Sequence, residues 1–180
     1  MNYVIETERL KLICADESML LAVIEGGDTI GKLLNVNVPN PWTENDEKPF
    51  RYTLEKISLS PDDKMWWTYF HVLKSENMLT GTCGYKGPPD ETGIVEFGYE
   101  TAEAYRNRGL ATEFAKALIE FAFQHDQVKV VMAHTLAEEN ASAKVLKKCG
   151  LQLVGEDVDD DVGKVWRWEL SRKDFEQQRS

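Results

Sequence analysis

The chain has 180 residues, 31 acidic against 21 basic, and carries a formal net charge of −10 with a pI near 4.8. That length suits one domain spanning residues 1–180 with its own core, and an apolar fraction of 42% with five Trp argues against disorder. The acidic excess argues against partners that are nucleic acids or anionic membranes, because both need clustered Lys and Arg.

Residues 9–15 alternate partly and read as a first strand. Asp16 to Leu34 reads as one or two helices broken at Gly26-Gly27, and Pro39 and Pro41 mark a loop. Phe50, Leu54 and Ile57 form a helical stripe that stops before Pro61. Trp66–Leu73 and Leu79–Tyr85 are β-rich runs around a polar turn, and after Gly87-Pro88-Pro89-Asp90 a third strand covers Gly93–Tyr99. The helical period returns from Leu110, with Phe114, Ala117, Leu118, Phe121 and Ala122 on one face. Val128–His134 fits a buried strand, Asn140 an N-cap, and Gly150 the C′ residue of the short helix between them. Leu151–Glu156 and Val165–Leu170 close the chain as a hairpin around an acidic loop. The order predicts an α/β fold on one mixed sheet of about seven strands with flanking helices.

Cys14, Cys83 and Cys149 stand at wide spacings and read as reduced thiols, neither a disulfide framework nor a zinc site. No signal peptide is visible, and the longest apolar stretch, Met19 to Ile24, is far short of a bilayer span. The expectation is a cytoplasmic protein that binds no metal.

Chemistry concentrates where the strand Ile94-Val-Glu-Phe-Gly-Tyr runs through a short loop, Arg106-Asn-Arg-Gly-Leu-Ala-Thr112, into an amphipathic helix. The free amides of a helix's first turn and its dipole make an anion site. Gly109 lets the backbone approach a bulky ligand, Ala111 keeps the turn narrow, and Arg106 and Arg108 add local positive charge. A pyrophosphate is the matching ligand.

The pattern Arg106-x-x-Gly109-x-Ala111 resembles the acetyl-CoA-binding signature of the GNAT superfamily of N-acetyltransferases. The strand before it and the block Glu139-Asn-Ala-Ser-Ala-Lys-Val-Leu-Lys-Lys-Cys-Gly are similar to the family's flanking segments. The opening Glu6-Thr-Glu-Arg-Leu-Lys-Leu is similar to the RimJ/RimL-like branch, which acetylates ribosomal-protein N-termini. The resemblance covers nearly the whole chain, least at residues 35–65. It implies a mostly antiparallel sheet splayed between its fourth and fifth strands, with acetyl-CoA as co-substrate. The pyrophosphate would lie on the amides of Arg106, Asn107, Arg108, Gly109, Leu110, Ala111 and Thr112. The pantetheine arm would pair with Phe97, Gly98 and Tyr99 and touch Asn140. A backbone N–H near Phe97 or Gly98 would be the oxyanion donor, Glu96 the base, and Ser142 the proton donor to the leaving thiolate. Many members use a downstream Tyr for that last step, but no Tyr follows Tyr105 here.

Other readings stand beside these. Glu96 can face solvent or pair with a base across the sheet, and Ser142 can satisfy a backbone group after Asn140. His134 is a fallback base and His71 a weaker one; both also read as structural. Gly26-x-x-x-x-Gly31-Lys32 imitates a phosphate loop but has Leu33 where Mg²⁺ needs a hydroxyl. Asp157-Val-Asp-Asp-Asp-Val-Gly163 imitates a calcium loop with its glycine one position late, and reads as a solvated hairpin loop. Trp166, Trp168 and Leu170 share a strand face that suits the core or a homodimer contact. The expected activity is acetyl transfer to a primary amine, on a protein N-terminus or a small cationic molecule. The alternative is a CoA-binding regulatory module of the same fold.

Overall fold

Leu10, Leu12 and Cys14 alternate with Lys11 and Ile13, and in the computed structural model, which describes residues 2–180, this alternation forms strand β2 (Leu10–Cys14). A shorter strand, β1 (Val4–Glu6), pairs antiparallel with it and was absent from the sequence expectation, because three residues carry no readable period. Asp16 caps helix α1 (Glu17–Glu25) by accepting from Met19 N at 2.9 Å, and the break at Gly26-Gly27 separates it from α2 (Thr29–Leu34). The Phe50–Ile57 stripe forms α3 (Lys48–Leu59). Pro61–Trp66 then winds into a 3₁₀ turn, so β3 (Thr68–Leu73) starts two residues later than the run beginning at Trp66 predicts. Strand β4 (Met78–Tyr85) follows.

The described chain clusters into two compact units. One runs up to Tyr85 and includes Tyr99–Leu110; the other comprises Lys86–Gly98 and Ala111–Ser180. In the first, α1, α2 and α3 bury Leu20, Ile30, Phe50 and Ile57 with Phe70 and Leu79 of β3 and β4.

The second unit begins with the turn at Pro88-Pro89, where the Asp90 carboxylate accepts from Thr92 N and Ile94 N at 2.9 and 3.0 Å and sets the start of β5 (Ile94–Thr101). It continues with α4 (Leu110–Phe123), β6 (Val130–Leu136), α5 (Ala141–Lys148), β7 (Gln152–Asp159), β8 (Gly163–Ser171) and α6 (Arg172–Arg179). Helix α5 ends as predicted at Gly150 (φ +88°), with Gly150 N on Lys147 O and Leu151 N on Leu146 O, a Schellman pair. The hairpin departs from expectation. Asp159 accepts from Asp161 N and Val162 N at 2.8 and 3.1 Å, which tightens the loop to residues 160–162 and leaves Asp157 inside a strand.

Among the described residues eight strands, one more than predicted, lie in the order β1-β2-β3-β4-β5-β6-β8-β7, in a mixed and mostly antiparallel sheet where β5 and β6 are a parallel pair. Register sorts the second unit's residues between two faces. Val95, Phe97, Val131, Ala133, Trp168 and Leu170 share the buried face, so Trp168 and Leu170 belong to the core. On the other face, Glu96 stands opposite Met132, two residues before His134; His134 stands opposite Arg167, and Arg167 opposite Gly155, two residues before Asp157. A polar line thus crosses four strands. Cys14, Cys83 and Cys149 are free and buried, and among the described residues no helix is long and apolar enough to cross a membrane.

Candidate active site

The loop leading into α4 is built from two left-handed steps. After the 3₁₀ turn Glu103–Tyr105, Arg106 is extended (φ −72°, ψ 160°), Asn107 turns to φ +63° and Gly109 to φ +76°, and the helix starts at Leu110. A glycine meets the second step without strain, and the first-turn amides that follow have no intrahelical acceptor. Arg106 Nε donates to Thr101 O at 2.9 Å while its guanidinium pairs with Glu44 at 3.3 Å. Arg108 stacks 4.6 Å from the Tyr105 ring and pairs with Glu76 at 3.6 Å, and Arg9 donates to its carbonyl at 2.8 Å. Exposed ion pairs of this kind contribute little, so neither carboxylate commits its arginine against a phosphate.

Glu100, near the end of β5, organises a loop that sequence reasoning left without a motif. Its carboxylate accepts from Thr43 Oγ1 at 2.7 Å, from Asn45 Nδ2 at 2.6 Å and from the Glu44 amide. This clasp holds residues 43–45 where Glu44 reaches Arg106. Nothing in the spacing of residues 43 and 100 could have announced it.

The second unit supplies the candidate acid–base groups. Glu96, with a side chain 20% exposed, receives His134 Nδ1 at 2.8 Å and Lys86 Nζ at 2.9 Å on the same oxygen, Oε1. His134 Nε2 lies 2.7 Å from Asp157 Oδ2. Arg167 donates to Glu169 at 2.7 Å and approaches Asp157 at 3.7 Å. Burial alone would depress the pKa of His134, but its bonds to Asp157 and Glu96 outweigh that and raise it above the ordinary histidine value. The bond from His134 in turn holds Asp157 below the usual carboxylate range.

The remaining predicted residues divide between the units. Phe97 is buried and Gly98 half-buried in the second unit; Tyr99 belongs to the first. Asn140 caps the first turn of α5, its Oδ1 accepting from Ala143 N at 2.9 Å, and half-buried Ser142 makes no side-chain hydrogen bond to the described residues. His71 is structural: fully buried, it binds Thr80 Oγ1 at 2.7 Å and Glu100 O at 2.9 Å, and burial holds it down to about 4. Lys86 and Asp157 are the members of the Glu96 cluster that the sequence did not single out.

The profile of the family described as Acetyltransferase (GNAT) domain matches residues 20–152. An uncharacterized N-acetyltransferase of Bacillus subtilis (strain 168), YjdG, is 28% identical over 150 residues, which is 83% of this chain and 89% of that protein. Among solved structures, RimL, the ribosomal L7/L12 alpha-N-protein acetyltransferase in complex with coenzyme A, has a TM-score of 0.71 at 16% identity, covering 96% of this chain and 99% of that one. A ribosomal-protein-S5-alanine acetyltransferase from Vibrio fischeri has a TM-score of 0.70 at 16% identity, covering 96% and 98%. The fold is therefore that of these RimJ/RimL-like enzymes. With the family profile spanning most of its length, the chain belongs to the GNAT family and is an N-acetyltransferase.

Proposed function

We propose that the protein carries the acetyl group of acetyl-CoA directly to a primary amine, either a protein N-terminus or a small cationic amine, within a ternary complex. The observation that carries this reading is the turn at Asn107 and Gly109 opening α4, in a chain of the GNAT family. The amides of Arg106 to Thr112 would hold the pyrophosphate, as helix N-termini hold other phosphates. Phe97, Gly98 and Tyr99 would line the pantetheine arm, with an N–H of Phe97 or Gly98 turned to the thioester oxygen. Asn140 would contact the arm through the amide nitrogen that its cap leaves unused.

Glu96 is the base in this reading, taking a proton from the attacking amine, and Ser142 donates to the CoA thiolate. The half-buried setting of Glu96 and the unbonded hydroxyl of Ser142 support these roles. The acidic surface favours approach of a cation.

Thiol release over a panel of amines tests the assignment: peptides with free Ser, Ala or Met N-termini, spermine, an aminoglycoside and free amino acids. Turnover on at least one is expected. Glu96→Gln should lower kcat about 100-fold while leaving acetyl-CoA affinity within about twofold, the scale of a lost general base. An unchanged rate in that variant removes Glu96 as base. Tight CoA binding with no release on any amine instead favours a regulatory module.

A further inference from the structure

Acetylating an ammonium acceptor displaces two protons: the cation and acetyl-CoA yield the acetamide, CoA thiol and one free proton. One displaced proton ends on the thiol. The other must leave the site before the next turnover, and Glu96 Oε1 is already in contact with Lys86 Nζ and His134 Nδ1.

We propose that His134 and Asp157 are positioning residues that form an outlet for this second proton, passing it from Glu96 on β5 to the solvent at β7. The inference rests on Glu96 acting as the base. Its geometry is the polar line across β5, β6, β8 and β7, with heavy-atom distances of 2.8 Å and 2.7 Å on the two imidazole nitrogens. Side-chain exposure rises along the line, from 20% at Glu96 and 23% at His134 to 42% at Asp157, so the outer end meets water.

A neutral imidazole has one N–H and cannot donate to two carboxylates at once. The bonds at both nitrogens therefore describe a loaded array, holding one proton more than two carboxylates and a neutral ring. Releasing the Nε2 proton through Asp157 to water leaves a neutral ring protonated at Nδ1; proton exchange with water at the 23%-exposed ring moves that proton to Nε2 and leaves Nδ1 with a lone pair facing Glu96. Glu96 then takes the amine's proton and passes it to Nδ1, while the Nε2 proton moves to Asp157. Each step forms one O–H or N–H bond and breaks one, with water as the only other reactant. The groups facing this path are Lys86 beside Glu96, Arg167 and Glu169 on β8, and Asp159 farther along β7. The raised pKa of His134 agrees with the loaded state.

Two measurements test the outlet in the full-length protein. Imidazole ¹⁵N shifts follow the His134 titration without any acceptor. In Asp157→Asn the midpoint should fall by about one pH unit, the size expected on losing an adjacent opposite charge. With the amine that releases CoA fastest in the panel above, the acid limb of kcat should move down with that midpoint. The plateau of kcat should fall about tenfold at unchanged acetyl-CoA KM, and Asp157→Glu should restore most of it. An Asp157→Asn enzyme with wild-type kcat and a wild-type acid limb overturns the outlet if Glu96→Gln is still impaired. If Glu96→Gln is itself fully active, it is the base assignment that fails, and the outlet falls with it.

Discussion

Gly81 shows how one position can tie a strand to a loop. Its φ of +145° and its neighbours leave no room for a side chain: a Cβ would strike the Glu100 carbonyl oxygen and lie 2.8 Å from the His71 ring. The same Glu100 holds residues 43–45 through its carboxylate. Gly81→Ala should destabilise the protein by about 2–3 kcal/mol, as overpacking against backbone does, read as a lower urea midpoint. At this scale the sequence exposed some residues and hid others. Glu96 was legible because a carboxylate interrupts an apolar strand, and Asn140 because it precedes a helical run. Asp157 was not, because four aspartates around a single valine look like a solvated loop until Asp159 closes the turn behind it. Its reach to His134 also depends on a register set by a bulge between Leu153 and Gly155, and no residue pattern encodes that pairing.

At the scale of elements, the long amphipathic helix α4 and the strands flanking the central turns were readable from their periods. Helix α6 was not. Its sequence, Arg-Lys-Asp-Phe-Glu-Gln-Gln-Arg, has one apolar residue, so no stripe announces it. It is held instead by particular contacts: Ser171 caps it at Asp174 N, Phe175 stacks on Phe123 with centroids 4.6 Å apart, and Arg172 donates to the carbonyls of Phe123, His125 and Val128 at 2.8–3.0 Å. Arg172 thus supplies charge-assisted partners to the C-terminal end of α4, where the dipole favours a cation. Replacing it by Met should cost about 2–3 kcal/mol in denaturant unfolding. Lys should recover only part, because a single ammonium cannot reproduce the planar fork.

For the molecule as a whole, the titrating histidines pull stability in opposite directions. His134 has a raised folded pKa, so its contribution is fully present below the unfolded value of about 6.5 and disappears as pH climbs through the folded one. Asp157 has a lowered folded pKa, so its contribution is present above about 3.9 and disappears as pH falls through the folded value. Burial holds His71 down to about 4, so the protein loses stability as pH drops from about 6.5 towards that value. Comparing variants removes the common His71 effect. The Tm deficit of His134→Gln against the parent should be largest near about pH 5–6 and shrink towards about pH 9. A deficit that is flat across this range would mean the imidazole contributes packing alone. The acidic composition foresaw none of this balance, since it counts charges without saying which of them face a histidine.

The three enclosed thiols have a practical effect at the bench. Burial pushes the Cys14 and Cys149 thiols up to about 11 and Cys83 higher still, so almost none of the enzyme's own sulfur is a nucleophilic thiolate near neutrality. A chromogenic disulfide added to the folded protein should therefore colour only with the CoA set free by turnover, giving a continuous assay against a silent background. The same reagent should find the enzyme's three thiols once the chain is unfolded, so one reagent can report both catalysis and the loss of the fold.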